Sequence, residues 1–284
     1  MEEFQEKKHG DCMSNSVVVI LSVYKNDNLS DLKECLHSLY NQTYKDFDIF
    51  VQFDGKLEES LEEYISVEFQ NNKIKFVNKR EKNRGLAYSL NELLTIAFEK
   101  NYTYYVRMDA DDISVPHRLE KQIEVMDNNK SIDICGGFIE EFNMDNGRRQ
   151  VVKYHQNHKQ ILAGMKKRNA MAHVTTCFRK TFFEKAGLYN EKLKNEDYEL
   201  WIRGLQSGCV FYNIEDVLVE VRVNNAFYER RKDIARAYEV MLLKFEATKV
   251  FDYGLSGYVY ALAHFLLFMA PGKLKQFIYK YLRD

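Results

Sequence analysis

The clearest group of residues that could do chemistry is an acidic run, Asp109-Ala110-Asp111-Asp112. It comes directly after residues 102–108, an apolar segment typical of a buried strand. Ligands of open α/β sheets bind beyond the carboxyl ends of the strands, and carboxylate oxygens suit hard cations such as Mg²⁺ or Mn²⁺. The run therefore predicts a divalent metal site, although a solvated acidic turn that caps the next helix would have the same composition.

A second group, Asn195-Glu196-Asp197-Tyr198-Glu199-Leu200-Trp201, begins a predicted helix. One carboxylate of this group would act as a general base that deprotonates a hydroxyl as it attacks. Acids in a first helical turn also complement the helix dipole without any catalytic role. Trp201, the single tryptophan of the chain, lies four residues after Asp197 and would either stack on a sugar ring or fill the core.

Two shorter motifs stand at the ends of predicted elements. Phe53-Asp54-Gly55 follows a strand, where the aspartate would accept a hydrogen bond from a base or ribose, or would only form a turn. Asn83-Arg84-Gly85 precedes a helix, where the glycine permits close backbone approach and the arginine can pair with a phosphate. Neither motif matches the glycine-rich signature of dinucleotide-binding or P-loop proteins.

The elements that would position these motifs alternate through the first half of the chain. Strands are predicted at residues 16–23, 47–53, 73–77 and 102–108, and helices at 32–39, at 86–98 and from Pro116 onward. This alternation predicts βαβ units and a mostly parallel sheet covered on both faces. After about Ile132 the pattern is mixed, with strands predicted at 132–142, 175–178, 210–214 and 217–223 and a helix at 196–206.

The chain from Arg230 onward is predicted to be helical. Residues 255–270 are apolar but fall short of the roughly 20 residues that a membrane-spanning helix needs. Pro271-Gly272 interrupts the chain, and residues 273–283 then place apolar side chains at helical spacing with most of the basic ones off that stripe. This segment predicts a helix that lies in a membrane interface, or one that docks on the domain.

The overall composition narrows the class of protein. Of the 284 residues, 45% are hydrophobic and 29% are charged, which excludes a disordered chain, a collagen and a polytopic membrane protein. The 41 basic and 42 acidic residues nearly balance, so no global basic field indicates nucleic acid as a partner. Five cysteines without a C-x-x-C pair favour a reducing compartment, and the charged N-terminus lacks the apolar core of a secretory signal.

Taken together, the motifs resemble the family 2 inverting glycosyltransferases of the GT-A fold. The resemblance rests on the order and spacing of the motifs and extends over roughly residues 16–225. The motifs that carry it are Ser22-Val23-Tyr24-Lys25, Asn41-Gln42-Thr43-Tyr44, Phe53-Asp54-Gly55, Asn83-Arg84-Gly85, Asp109-Ala110-Asp111-Asp112 and the run 195–201. Residues 222–231 further resemble the amylovoran and O-antigen branch of the bacterial family members.

The resemblance implies a role for each matching residue. The nucleotide pocket would be lined by Ser22, Tyr24, Asp54 (which would hold the uracil), Asn83, Arg84 and Asp109. Asp111, together with Asp109, would bind the metal ion, either Mn²⁺ or Mg²⁺. Asp197 corresponds to the catalytic base with Glu196 beside it, and Trp201 would contact the substrate.

At three positions the match to the family pattern leaves the role of the residue open. His173 falls where the family often has a histidine near the acceptor or the metal, although a lone histidine is often structural. Phe53 stands where the family commonly has a second aspartate, so the uracil contact would rest on Asp54 alone, or the register would shift by one. Arg222-Val223-Asn224 stands in place of an Arg-x-His motif and leaves a third metal or diphosphate ligand open.

The implied fold is α/β: a GT-A fold with a mostly parallel central sheet flanked by helices. A domain of residues 1–225 would comprise a Rossmann-like nucleotide-sugar half (about 16–130) and a mixed acceptor half (about 131–225). Residues 226–284 would form a C-terminal helical extension.

The implied reaction is transfer of a hexose, with galactose from UDP-galactose the favoured donor. The acceptor would be a sugar on an undecaprenyl diphosphate carrier, in bacterial O-antigen or capsule repeat-unit assembly. The basic stretches 166–168 and 230–232 and the amphipathic tail fit a peripheral position on the cytoplasmic face of the inner membrane, or an ordinary solvated surface.

Two other classes of protein are alternatives to a glycosyltransferase. A sugar nucleotidyltransferase would carry a glycine-rich loop after its first strand, and residues 23–27 contain no glycine. A non-catalytic sugar- or partner-binding module on the same fold would not need both Asp111 and Asp197. Metal-dependent release of UDP from a UDP-sugar would separate an enzyme from such a module.

Overall fold

The computed structural model describes residues 4–6, 16–224 and 233–269. Within these ranges one ten-stranded sheet carries helices on both faces. The strands are β1 (Phe4–Glu6), β2 (Val17–Val23), β3 (Phe47–Phe53), β4 (Phe76–Asn78), β5 (Tyr104–Asp109), β6 (Ile113–Ser114), β7 (Ile134–Asn143), β8 (Arg149–Val152), β9 (Cys177–Arg179) and β10 (Phe211–Val223). The helices are α1 (Leu29–Tyr40), α2 (Glu59–Gln70), α3 (Leu86–Glu99), α4 (Arg118–Asn128), α5 (His158–Gly164), α6 (Lys180–Ala186), α7 (Glu196–Gln206), α8 (Ile234–Val250) and α9 (Gly254–Met269).

The first half of the sheet has the predicted parallel arrangement. β4, β3, β2 and β5 are adjacent in that order and run parallel, joined by α1, α2 and α3. In the strand register, Ser22 of β2 lies between Gln52 of β3 and Asp109 of β5. The carboxyl ends of three strands therefore meet at one edge, which is where the sequence motifs were expected to converge.

The second half of the sheet is mixed, as predicted. β9 runs antiparallel to both of its neighbours, β5 and β7, whereas β7 and β10 are parallel. The two strands predicted at 210–214 and 217–223 form the single strand β10, because register shifts between Ile214 and Val219 bend it without ending its pairing with β7. Because one sheet runs through both halves, the domain boundaries near residues 130 and 225 stay a prediction.

The central strand β2 is buried on both faces, as its continuous apolar sequence predicts. Its odd-numbered residues pack with α1, α2 and α4, whereas Val18 and Ile20 pack with α3 and with an aromatic cluster around Trp201. Full burial of each such side chain contributes about 1.5–3 kcal/mol. The strand that carries Ser22 at its end is therefore fixed from both sides.

The strand predicted at 73–77 lies later in the chain, as β4. The amides of Lys73 and Ile74 donate to the carbonyl oxygen of Glu68 at 2.9 and 3.4 Å, which ties these residues to the end of α2. They are therefore used to terminate a helix, and pairing with β3 begins only at Phe76.

The C-terminal helices α8 and α9 pack against each other, and α8 also contacts α7. Both leave apolar side chains exposed at helical spacing, namely Ile234, Tyr238 and Leu242 on α8 and Leu255, Val259, Leu262 and Leu266 on α9. Among the residues that the structure describes, no helix combines the length and apolar character needed to cross a membrane. The predicted amphipathic segment 273–283 and the basic stretch 230–232 lie outside the described residues.

Candidate active site

Three carboxylates at the end of β5 form an acidic cluster. Ligand oxygens of Asp109, Asp111 and Asp112 all lie within 4.8 Å of one another. Asp112 is buried, and burial together with the charges of Asp109 and Asp111 raises the pKa of its carboxyl well above the ordinary value. Carboxylate oxygens this close suit a hard divalent cation, whose charge would relieve their mutual repulsion. The sequence named Asp109 and Asp111 as ligands, and the structure adds Asp112 to the set.

Arg107, a residue that the sequence motifs did not single out, holds the first member of this cluster. Its guanidinium is buried and pairs through two nitrogens with both carboxylate oxygens of Asp109. A bidentate pair of this kind fixes the orientation of the carboxylate as well as balancing its charge. Arg107 precedes Asp109 by two residues on β5, so both side chains lie on the same face of the strand.

Arg222, at the end of β10, ties the cluster to the second half of the sheet. Its backbone nitrogen donates to Asp112 Oδ1 at 2.9 Å, and its Nε donates to the carbonyl oxygen of Asp111 at 2.9 Å. The same guanidinium reaches Glu34 on α1 at 2.7 Å. The arginine of the irregular 222–224 motif therefore shapes the backbone of the acidic loop.

A second buried arginine stands behind the cluster. Arg118 is fully buried at the start of α4 and donates to the carbonyl oxygens of Arg107 and Val174 at 2.7 and 2.9 Å. Burial lowers the pKa of its guanidinium to about 10, so the group stays charged at neutral pH. Its positive charge offsets part of the negative charge of the three aspartates.

At the end of β3, Asp54 is almost fully buried and braces the loop before α3. Its carboxylate accepts hydrogen bonds from the backbone nitrogens of Arg84 and Gly85 at 2.8 and 3.0 Å and from Asn83 Nδ2 at 2.9 Å. It also forms an ion pair with Arg80, which the sequence motifs did not include. Protein donors thus reach both carboxylate oxygens. The predicted contact with uracil stays a prediction, and it would have to be made alongside these bonds.

Gly55, which follows Asp54, is required because the loop before α3 approaches the end of β3 closely. Gly55 has φ +90°, and a Cβ built there would lie 2.7 Å from the backbone nitrogen of Asn83. The loop of Asn83 can approach the end of β3 this closely only because no side chain intervenes. The motif that was open to interpretation as a plain turn therefore joins two loops at the sheet edge.

The other predicted nucleotide-pocket residues lie along the same edge. Ser22 and Tyr24 are half-buried at the end of β2, where the Tyr24 backbone nitrogen donates to Asp27 Oδ2 at 2.9 Å. Arg84 is exposed and its guanidinium stacks on the ring of Tyr88, 3.1 Å from the centroid. Arg84 stands immediately before the N-terminus of α3, a place that favours an anionic ligand.

On the acceptor side, Asp197 lies in the first turn of α7, half-buried and held by a partner. Asn169 Nδ2 donates to Asp197 Oδ2 at 2.8 Å. This bond fixes the orientation of the carboxylate that would act as the general base. Asn169 was not found from the sequence, because it comes 28 residues before Asp197 and matches no motif.

Glu196 lies beside this base in a different environment. Burial first, and the charge of Asp197 second, raise the pKa of Glu196 to about 7, against the opposing charges of Arg107 and Arg236. Glu196 therefore keeps its proton to a higher pH than an ordinary glutamate does.

His173 packs against Trp201, which lies on the same helix as the base. His173 Nε2 lies 2.8 Å from the Tyr189 hydroxyl, and its ring stands edge-on to Trp201 at a centroid distance of 5.9 Å. Burial first, and the charge of Arg107 second, lower the pKa of His173 well below the ordinary value, so the ring is neutral at pH 7. Trp201 has no exposed surface. Of its two sequence interpretations, this geometry agrees with the core and leaves no ring face open for a sugar.

The strand that carries the acidic cluster and the helix that carries the base are linked through a short segment of the chain. The charge of Arg107, the partner of Asp109, acts on both Glu196 and His173. Burial first, and the nearby carboxylates after it, raise the pKa of the Tyr189 hydroxyl. The backbone nitrogen of Arg107 donates to the carbonyl oxygen of Thr176 at 3.0 Å, and His173 packs on Trp201 of α7, so the segment 173–176 links β5 to the helix that carries Asp197. That an acid from each half of the fold contributes to one site stays a prediction.

Comparison with known proteins relates this arrangement to one enzyme family. The family model for glycosyl transferase family 2 matches residues 18–187. The amylovoran biosynthesis glycosyltransferase AmsE of Erwinia amylovora is 29% identical over 264 residues, covering 92% of this chain and 97% of that protein. A UDP-Gal:alpha-D-GlcNAc-diphosphoundecaprenol beta-1,3-galactosyltransferase of Escherichia coli is 30% identical over 219 residues, covering 77% and 78%.

Two solved structures share the fold of this chain. Residues 1-349 of S. aureus TarS superpose with a TM-score of 0.62 at 19% identity, covering 89% of this chain and 71% of that one. The mannosyltransferase PcManGT of Pyrobaculum calidifontis, solved with GDP-Man and Mn²⁺, superposes with a TM-score of 0.62 at 13% identity, covering 93% and 79%. At these identities the likeness concerns the fold.

Proposed function

The chain belongs to glycosyl transferase family 2 and has the GT-A fold, and we propose that it is an inverting enzyme that moves a hexose from a UDP-hexose to a lipid-diphosphate-linked sugar. The observation that carries the proposal is the short structural link between the acidic cluster and the helix of Asp197: segment 173–176 bonds to Arg107 of β5 and packs through His173 on Trp201 of α7. A donor diphosphate and an acceptor hydroxyl need these two kinds of group on opposite sides of one reacting carbon.

The acidic cluster is the proposed metal site. Asp109, Asp111 and Asp112 would hold Mn²⁺ or Mg²⁺, since their oxygens lie within 4.8 Å of one another and oxygen donors suit both ions. When bound, the cation would offset the negative charge that grows on the leaving phosphate oxygen. Arg107 would keep the Asp109 carboxylate in one orientation, and the exposed Arg84 would add a positive charge near the diphosphate.

The chain's own residues would then carry the proton. Asp197, held by Asn169, accepts the proton of the acceptor hydroxyl as its oxygen attacks the anomeric carbon. The new carbon–oxygen bond forms on the face opposite the bond to UDP, which breaks with its electron pair going to the phosphate. One displacement inverts the anomeric centre, so an α-linked donor gives a β-linked product.

The donor and acceptor are proposed from the relatives. The E. coli relative carries UDP-galactose and a diphosphoundecaprenol-linked sugar in its name, and that chemistry fits the site described above. Galactose from UDP-galactose is therefore the proposed donor. An undecaprenyl-diphosphate-linked sugar, in O-antigen or capsule repeat-unit assembly, is the proposed acceptor.

A lipid carrier would place the enzyme at a membrane surface, and we propose the cytoplasmic face of the inner membrane. The exposed apolar stripes of α8 and α9 support this, because contiguous exposed apolar residues on a helix are typical of an interfacial helix. Leu255 is 79% exposed and Leu266 is 65% exposed. The amphipathic segment 273–283, outside the described residues, would add a second contact.

The test is a screen of nucleotide sugars against synthetic lipid-diphosphate sugars, with and without Mn²⁺. We expect UDP release and a β-linked product from UDP-galactose, dependent on the metal ion. Metal-independent release, or a product that retains the α configuration, would contradict the mechanism. No turnover with any donor would favour the non-catalytic module.

A further inference from the structure

The segment just before Asn169 is fastened to the helix that carries the base. At one end, the Tyr198 hydroxyl of α7 donates to the carbonyl oxygen of Met165 at 2.9 Å. At the other end, Asn169 donates to Asp197 at 2.8 Å. Tyr198 and Asp197 are consecutive residues, so both ends of the segment are held at the first turn of α7.

A buried lysine holds the middle of the same segment. Lys244 of α8 is 3% exposed, and its Nζ donates to the carbonyl oxygens of Lys166 and Lys167 at 3.1 and 3.2 Å. The ammonium also lies over the ring of Tyr198, 5.4 Å from the centroid. With its carbonyls turned toward Lys244 and α8, the segment is fixed as a unit between α7 and α8.

The side chains of Lys166, Lys167 and Arg168, named here the basic turn, are arranged on aromatic rings. Each cation lies over one tyrosine: Lys166 over Tyr253 at 5.7 Å, Lys167 over Tyr260 at 5.3 Å and Arg168 over Tyr154 at 4.8 Å. Cation–π contacts restrict long side chains without neutralising their charge, so less side-chain entropy is lost when an anion binds. Lys166 Nζ also donates to Ser256 Oγ at 3.3 Å, and the Arg168 guanidinium donates to the carbonyl oxygen of Lys153. Because these acceptors are neutral, the three cations keep their charge, and Lys167 is exposed.

The basic turn lies close to the base along the chain. Arg168 precedes Asn169, the partner of Asp197, and consecutive Cα atoms are about 3.8 Å apart. Our hypothesis is that an acceptor sugar whose hydroxyl faces Asp197 carries its diphosphate substituent toward this turn. The donor diphosphate would lie elsewhere, at the acidic cluster and Arg84.

We propose that the basic turn binds the diphosphate group of the lipid-linked acceptor, an inference that rests on the proposed function. Guanidinium and ammonium donors suit phosphate oxygens. Tyr260, the platform for Lys167, lies on α9 next to Val259, which belongs to the exposed apolar stripe. Cations beside an apolar stripe complement a molecule that joins a diphosphate to a hydrocarbon tail.

The experiment compares two soluble acceptors that share one sugar, an alkyl diphosphate glycoside and an alkyl glycoside without phosphate. We expect Lys167→Gln to raise KM for the diphosphate acceptor about tenfold, and the triple change of residues 166–168 to glutamine to raise it further. Transfer to the phosphate-free acceptor and slow hydrolysis of the donor should stay at the wild-type level, because the donor site is untouched.

Lys73→Gln is the matched control. Lys73 is an exposed lysine over the ring of Tyr40 at 5.3 Å, the same arrangement as Lys167 over Tyr260, but on the first half of the chain. It should leave KM for both acceptors unchanged. Thermal unfolding of each variant would show that the substitutions leave the fold intact.

Equal losses on both acceptors, or no loss on either, would overturn the proposal. A wild-type enzyme that transfers equally well to both acceptors would also overturn it while leaving the proposed function standing. Absence of transfer to every acceptor would contradict the proposed function itself. A loss of binding to vesicles that contain phosphatidylglycerol, with both KM values unchanged, would assign the basic turn to the membrane surface and would likewise overturn the proposal.

Discussion

Glu196→Gln is expected to change how the stability of the protein depends on pH. In the folded protein, burial and the charge of Asp197 raise the pKa of Glu196 from 4.5 to about 7. The folded state therefore binds the proton more tightly than the unfolded state, so stability is highest below pH 4.5 and declines as pH rises through 7. The gap corresponds to about 3 kcal/mol in the free energy of unfolding.

Most of this loss, about 2 kcal/mol, falls between pH 5 and pH 8. Glutamine carries no charge to bury, so the variant should gain about that much over the wild type at pH 8 relative to pH 5. Urea unfolding of both proteins at the two pH values measures the difference directly. Glu246→Gln is the control, since Glu246 is an exposed acid on α8. Its replacement should change the free energy of unfolding by the same amount at pH 5 and at pH 8.

A second substitution tests how much of the raised pKa of Glu196 comes from the charge of Asp197. Because the charge of Asp197 is the second contribution to the raised pKa, the gain from Glu196→Gln should shrink in an Asp197→Asn background. Wild-type and Glu196→Gln unfolding free energies that run parallel between pH 5 and pH 8 would refute the reasoning. They would mean that Glu196 meets the same solvent in the folded and unfolded chains.

Three further outcomes follow from the same contacts. Asn169→Ala removes the hydrogen-bond donor that orients Asp197, so kcat should fall about tenfold while KM for the sugar donor stays at the wild-type value; an unchanged kcat would count against Asn169 as a positioning residue. Arg80→Met leaves the buried Asp54 carboxylate without its cation and should lower the free energy of unfolding by about 3–5 kcal/mol in urea titrations, whereas a loss below 1 kcal/mol would mean that the ion pair is solvated. Leu266→Glu should weaken binding to phosphatidylglycerol vesicles in a flotation assay while transfer to a soluble acceptor is unchanged, and undiminished flotation would exclude α9 from the membrane contact.

The helices and strands predicted best are those whose local sequence alone determines their secondary structure and bounds. β3 and α7 have the predicted bounds, 47–53 and 196–206, because each has a strong pattern and a clear terminus. The helix α2 was not predicted, since only Leu61 and Ile65 are buried in it and its remaining residues are mostly polar. The two-residue strand β6 exists only through its pairing with β10, which no local pattern encodes.

The same distinction applies to the residues of the candidate site. The acidic run 109–112 was visible because its members are adjacent in sequence, and the structure places three of their carboxylates together. Arg80 and Asn169 were missed because each meets its aspartate 26 or 28 residues away, through the fold and not through a motif. Trp201 shows the reverse, since its helical position suggested a substrate contact and tertiary packing buried it completely.

Parallel measurement of UDP binding and sugar transfer in Asp111→Asn and Asp197→Asn variants tests most directly whether the acidic cluster and Asp197 serve one reaction. Titration calorimetry with UDP and Mn²⁺ should show weakened binding in Asp111→Asn and wild-type affinity in Asp197→Asn. Transfer should be lost in both, by about 10²–10⁴-fold in Asp197→Asn. Near-normal transfer by Asp197→Asn, or unchanged Mn²⁺-dependent binding by Asp111→Asn, would contradict the shared site.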